Sequence, residues 1–146
     1  MKRSSGFTLL ELLMVVIIIA ILASIALPQF LRVAERARAS EALAILGAMR
    51  SSEIRYKAQS PGQIFTAVVN ELDVDVPGFG VPPIPPSVLW NPYAVDLLAN
   101  DVLATRVAPA PPGFVGAKIT VDLITGKVCA TPLAAANAYG LPLGPC

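Results

Sequence analysis

One carboxylate, Glu11, lies inside an apolar run that reads G-F-T-L-L-E-L-L-M-V-V-I-I-I-A-I-L-A-S-I-A-L from Gly6 to Leu27. A lone ionised side chain in a membrane helix costs at least about 2.5 to 3.5 kcal/mol unless it is partnered, so its position demands a reason. The other reactive groups are two cysteines, Cys129 and Cys146, and the chain has no histidine. Without His, a Cys2His2 zinc site, a Ser-His-Asp triad and a Cys-His pair are excluded. The cysteine spacing likewise excludes a C-x-x-C redox or metal pair. Three acids between Glu71 and Asp75 offer too few oxygen ligands at set spacings for a calcium loop and read as a solvated edge. No enzyme activity, cofactor or metal is expected.

These groups must be positioned by a short chain. It has 146 residues, 55% of them apolar, and a net charge of +1, which fits one membrane segment plus one small domain. The balance is not basic enough to make nucleic acid the main partner. About 20 apolar residues suffice to cross a bilayer, and Lys2 and Arg3 stand before this run. A cleaved secretory signal would end at the small residues Ser24 and Ala26, but Glu11 sits badly at the edge of such a region. A plain single-pass anchor is the second reading. Charge counting, with Arg32, Arg36 and Arg38 on the far side, does not settle its orientation and slightly favours a cytoplasmic head. The cysteines argue the other way, since a pair this near the C-terminus reads most simply as a disulfide, which persists outside the cytoplasm.

A third reading comes from K-R-S-S-G followed by F-T-L-L-E-L-L-M-V-V-I-I-I-A-I-L-A. This resembles the class III leader of type IV pilins and of the related pseudopilins of type II secretion systems. The resemblance implies a leader of residues 1–6, a cut between Gly6 and Phe7 by a membrane-embedded prepilin peptidase, and N-methylation of Phe7. Residues 7–27 would be the transmembrane and filament-core helix, and residues 28–146 the globular head. The new ammonium at Phe7 would lie one helical turn from Glu11, so the chain could neutralise itself. In an assembly that amine could instead meet the carboxylate of a neighbouring copy, making Phe7 and Glu11 a registry device.

Beyond the apolar run, Pro28 removes a backbone hydrogen bond and predicts a kink or locally melted stretch. The helix then resumes over 31–58. Ala42, Ile45, Leu46, Met49, Ser52 and Tyr56 form one stripe, with Arg36, Arg38, Glu41, Arg50, Glu53 and Lys57 largely off it. Unbroken, Phe7 to Ala58 would span roughly 78 Å at about 1.5 Å per residue. Ser60-Pro61-Gly62 stops it. Gln63 to Leu72 is expected to be a short helix rather than a strand. Six prolines from Pro77 to Pro92 demand an extended or irregular segment, with V-P-P-I-P-P as polyproline II. Val88 to Leu98, Val102 to Val107, Phe114 to Leu123 and Lys127 to Thr131 are expected strands, with turns at Asn100-Asp101 and Ile124-Thr125-Gly126.

The predicted fold is α+β: a long N-terminal helix whose apolar half protrudes, whose amphipathic half packs on an antiparallel sheet of about four strands, and a disulfide-bounded C-terminal loop between Cys129 and Cys146. That C-terminal segment shows no clear periodicity. The resemblance also implies copies of the chain as the main partner, in a helical filament used for adhesion, twitching motility or DNA uptake. It implies an inner-membrane assembly platform and an ATPase, and an inner-membrane location with a periplasmic head before assembly into an extracellular pilus. A pseudopilin and a monomeric anchored binding protein are the alternatives. DNA binding would need Lys118, Lys127 and Arg106 to be gathered by assembly, because the sequence holds no continuous basic patch.

Overall fold

The computed structural model describes residues 6–77, 89–144 and 146. The leader residues 1–5 and the expected polyproline segment lie outside them. In chain order the elements are α1 (Leu9–Gln59), a single 3-10 turn (Val69–Glu71), β1 (Trp90–Asp96), β2 (Asp101–Arg106), β3 (Lys118–Asp122), β4 (Val128–Thr131) and α2 (Leu133–Tyr139). The chain divides into two compact units, Met1–Ala34 and Glu35–Cys146. In the first, every described residue from Gly6 to Val33 is exposed, and α1 passes through Pro28 without melting. In the second, α1 supplies a buried stripe of Glu35, Ala39, Ala42, Leu46, Met49, Ser52 and Glu53.

This stripe corrects the predicted one at both ends. Leu46, Met49 and Ser52 are buried as expected, but Glu53, read as lying off the apolar face, is fully buried, and so is Glu35. The apolar members pack in one core with Val102 and Ala104 of β2 and Ile119 and Val121 of β3. That arrangement follows from strand periodicity, since Val102, Ala104 and Arg106 alternate onto one side of β2. The four strands form an antiparallel meander in the order β1-β2-β3-β4. Its register shifts between Trp90 and Tyr93, on either side of Pro92, as suits a proline in an edge strand.

Both hairpin turns are built on an aspartate. Asp96 Oδ1 accepts the N–H groups of Leu98 and Ala99, at 2.9 and 3.2 Å, and Asp122 Oδ1 accepts those of Ile124 and Thr125. Gly126 closes the second turn at φ 75°, and a Cβ there would stand 3.2 Å from the guanidinium carbon of Arg50. Arg50 in turn donates to the carbonyls of Asp122 and Ile124 at 3.2 Å each. Three expectations are corrected here. Gln63 to Leu72 is not a helix beyond the 3-10 turn, because side chains hold its backbone: Val68 N–H bonds to Thr66 Oγ1 and Ile64 N–H to Ser60 Oγ. The strand expected from Phe114 begins only at Lys118, after a turn in which Phe114 and Ala117 donate locally. The C-terminal segment contains α2, an alanine-rich helix of about two turns ended by Gly140 in the left-handed conformation.

The structure joins Cys129 of β4 to Cys146, with Cα atoms 5.6 Å apart. The intervening tail returns beside β4, where Ala130 N–H bonds to Pro142 and Gly144 N–H to Ala130. Cys146→Ser is expected to lower head stability by about 3 kcal/mol, the chain-entropy value for a loop near 16 residues. Urea unfolding followed by Trp90 fluorescence under non-reducing conditions measures it.

Candidate assembly segment

The first unit begins with backbone that is not yet helical. Gly6, Phe7 and Thr8 precede α1, and the Phe7 ring is exposed. Thr8 then caps the helix. Glu11 N–H donates to Thr8 Oγ1 at 3.3 Å, while Glu11 Oε2 accepts the Thr8 N–H at 3.0 Å and the Thr8 hydroxyl at 2.8 Å. This is a capping box, in which two orphan donors at a helix start are satisfied reciprocally. The pattern T-L-L-E was legible in the sequence, yet Thr8 was not among the expected site residues. Glu11 is therefore held inside its own chain, and its Oε1 makes no described hydrogen bond.

From Leu9 to Leu27 the large apolar side chains are all exposed. Fully burying such a side chain is worth about 1.5 to 3 kcal/mol, so a run of this length cannot stand free in water. α1 is long and apolar enough to cross a membrane. Ser24, the one polar hydroxyl between Glu11 and Pro28, returns its O–H to the Ile21 carbonyl at 2.7 Å and leaves no unpaired donor toward lipid.

In the second unit the groups once weighed for metal or nucleic acid have other employment. Asp73 pairs with Arg55 and accepts the Ser52 hydroxyl, and these contacts hold its carboxyl down at about 2. Glu71 accepts from Thr66 Oγ1 at 2.7 Å, and hydrogen bonds from Thr66 and Tyr56 lower its pKa. Among the described residues no group of three potential ligands is close enough to hold an ion. Arg106, counted above with the basic residues available to DNA, is completely buried. It donates through Nε to Glu35 Oε2 at 3.3 Å and to the carbonyls of Leu89, Val107 and Pro109. Neither Glu35 nor Arg106 was singled out as a pair, since 71 positions separate them.

Two buried carboxylates are raised instead. Burial pushes the Glu53 pKa above its ordinary 4.5 against the Thr66 N–H bond, with Glu71 adding repulsion. Burial first, then Asp96 and Asp122, raise that of Asp101. A raised acid binds more protons folded than unfolded, so its contribution to stability falls as pH climbs from 4.5 through the folded pKa. Asp73, lowered to about 2, acts oppositely, and its contribution is lost as pH falls from 3.8 toward 2. Head stability is thus expected to peak in mild acid. Glu53→Gln keeps an acceptor for Thr66 and should gain on the wild type between pH 4.5 and 7, as thermal unfolding across that range would reveal; parallel pH profiles would refute it.

The N-terminal architecture is matched by a family model. Residues 1–27 fit the prokaryotic N-terminal methylation motif. A stretch of 51 residues is 47% identical to the type IV major pilin protein PilA of Myxococcus xanthus (strain DK1622). Both likenesses support a type IV pilin family. The match covers 35% of this chain, and the chain spans only 23% of that relative's length. No solved structure is significantly similar to the chain. The long helix, antiparallel sheet and C-terminal disulfide together are the α+β pilin fold.

Proposed function

We propose that this chain is the structural subunit of a type IV pilus. The observation that carries the reading is a pilin-type N-terminal motif on a wholly exposed apolar helix joined to a folded, disulfide-closed head. Residues 1–6 are the leader, a prepilin peptidase cuts between Gly6 and Phe7, and the Phe7 amine is methylated. Residues 7–27 anchor the subunit in the inner membrane with residues 28–146 in the periplasm, and the same segment later forms the filament core. Copies related by a rotation that does not close build a helical filament, and Pro28 gives the helix slack when lipid is exchanged for neighbouring subunits. The chain has no phosphate-binding loop, so an ATPase and an inner-membrane platform supply extraction.

The Cys129–Cys146 bridge favours a pilus over the pseudopilus of a secretion system. Adhesion, twitching motility and DNA uptake are the activities such a filament serves. N-terminal sequencing and mass measurement of the mature protein should find a methylated Phe7 as the first residue, and shearing should release long external fibres. An intact Met1 or a start near Leu27 would overturn the processing, and protein confined to the envelope would overturn the pilus.

A further inference from the structure

The apolar exposure of α1 does not end with the lipid-like run at Leu27. Phe30, Leu31 and Val33 continue it through the next turn at 67%, 44% and 68% exposed, all inside the first compact unit, Met1–Ala34. At about 100° per residue they spread over roughly 160° of the helix circumference, and Gln29 and Arg32, three apart, share the remaining side. That arc is wider than the stripe of about 100° typical of a helix packed on one side. An environment that surrounds the helix covers it; a single flat face does not.

Depth follows from helix geometry. α1 runs through Pro28 unbroken, so each residue advances about 1.5 Å. Leu9 to Leu27 then covers about 28 Å of a hydrocarbon layer roughly 30 Å thick, and the headgroup layer beyond it adds roughly 5 to 8 Å. Arg32, about 7.5 Å past Leu27, reaches the level of the phosphates, with Phe30 and Leu31 at the acyl boundary beneath it.

Arg32 is also the cation left free at that depth. Of the three arginines that follow the run, Arg36 donates through Nε to the Ala138 carbonyl at 3.3 Å and Arg38 pairs with Glu35. Arg32 is exposed and makes no hydrogen bond or ion pair among the described residues. We infer that this turn is a membrane-surface anchor: Phe30, Leu31 and Val33 enter the acyl–headgroup boundary on the far side of the span, and Arg32 binds the phosphate of an anionic phospholipid. A guanidinium matches phosphate oxygens through parallel N–H groups, and its apolar stem lies along the acyl boundary while the charge reaches the headgroups. Arg32 points away from Phe30 and Val33, yet lipid surrounds the helix, so each side chain meets its partner at its own depth.

The inference rests on the reading of α1 as a membrane anchor, and two label positions separate the two. The full chain, its native cysteines locked in their disulfide, carries a bimane fluorophore on Val33→Cys or on Leu27→Cys in vesicles of equal phosphatidylglycerol and phosphatidylcholine. One lipid or the other bears a nitroxide high on its acyl chain. Both should quench the Val33 label, with a preference of about fivefold for phosphatidylglycerol. Arg32→Gln should abolish that preference, and Arg32→Lys should keep it. A Val33 label quenched by neither lipid while the Leu27 label is quenched would overturn the anchor alone, whether the turn stands in water or a second copy covers it. Equal quenching by both lipids before substitution, or a preference that survives Arg32→Gln, would overturn the role of the arginine. A Leu27 label that neither lipid reaches would overturn the membrane reading and the anchor with it.

Discussion

Arg106→Leu is expected to remove about 3 to 5 kcal/mol from the stability of the head, a large share of the roughly 5 to 15 kcal/mol that domains possess. Arg106 and Glu35 are 0% and 1% exposed. The leucine would fill volume but leave Glu35 with Arg38 as its remaining charge partner, and Arg38 is itself half in solvent. It would also remove the donor that the carbonyls of Val107 and Pro109 now take from Arg106 at 2.6 and 2.9 Å, and would leave the Leu89 carbonyl with the Val107 N–H alone.

The same guanidinium lies 5.9 Å from the Trp90 ring, whose indole N–H donates to the Arg38 carbonyl at 2.9 Å. One side chain thus ties α1, β1 and the segment after β2. Since Trp90 is the only tryptophan, its fluorescence reports this hub during urea unfolding of the detergent-held chain. The double change Glu35→Leu with Arg106→Leu should recover part of the loss, because it removes the orphaned charge but does not restore the hydrogen bonds to the carbonyls. A single variant as stable as the wild type would show that the pair contributes little to the head.

What was legible in the sequence follows from how locally each feature is encoded. The apolar run, the stripe over Leu46, Met49 and Ser52, and the two hairpins declare themselves within a few residues through period and turn chemistry. Asn100 and Gly126 sit where the chain needs a positive φ, so both turns were placed correctly. Glu53 was misread, and Glu35 passed over, because a charge at a stripe position reads as solvent-facing unless its partner is known. Those partners, Arg106 and the Thr66 amide, come from elsewhere in the chain. Helix α2 was missed for the opposite reason: Ala134 to Ala138 have high helix propensity, but seven residues are too few to show a period, and burial of Ala135, Ala136 and Tyr139 is what holds them. At the N-terminus, Glu11 was found from its charge, while its local partner Thr8 passed unnoticed beside it.

That last pairing sharpens the test of Glu11. In the structure its carboxylate already has work, as the first-turn partner of the Thr8 cap, so loss of assembly in Glu11→Leu would not distinguish a frayed helix from a missing charge. Glu11→Gln does, because glutamine serves in a capping box as glutamate does but cannot neutralise the ammonium that the proposed cut after Gly6 would create at Phe7. If the charge sets subunit register, Glu11→Gln should cut sheared filament at least about tenfold, the factor that a loss of about 1.4 kcal/mol per contact produces, while insertion in the membrane becomes easier. Glu11→Leu should then be no worse than Glu11→Gln. If the cap is what matters, Glu11→Gln filaments will match the wild type and only Glu11→Leu will fail, and Thr8→Val, which keeps the size and removes the hydroxyl, will fail with it. Quantifying sheared and membrane-held subunit for the three variants separates the two roles, and a Glu11→Leu chain that is processed and assembled normally would dismiss both.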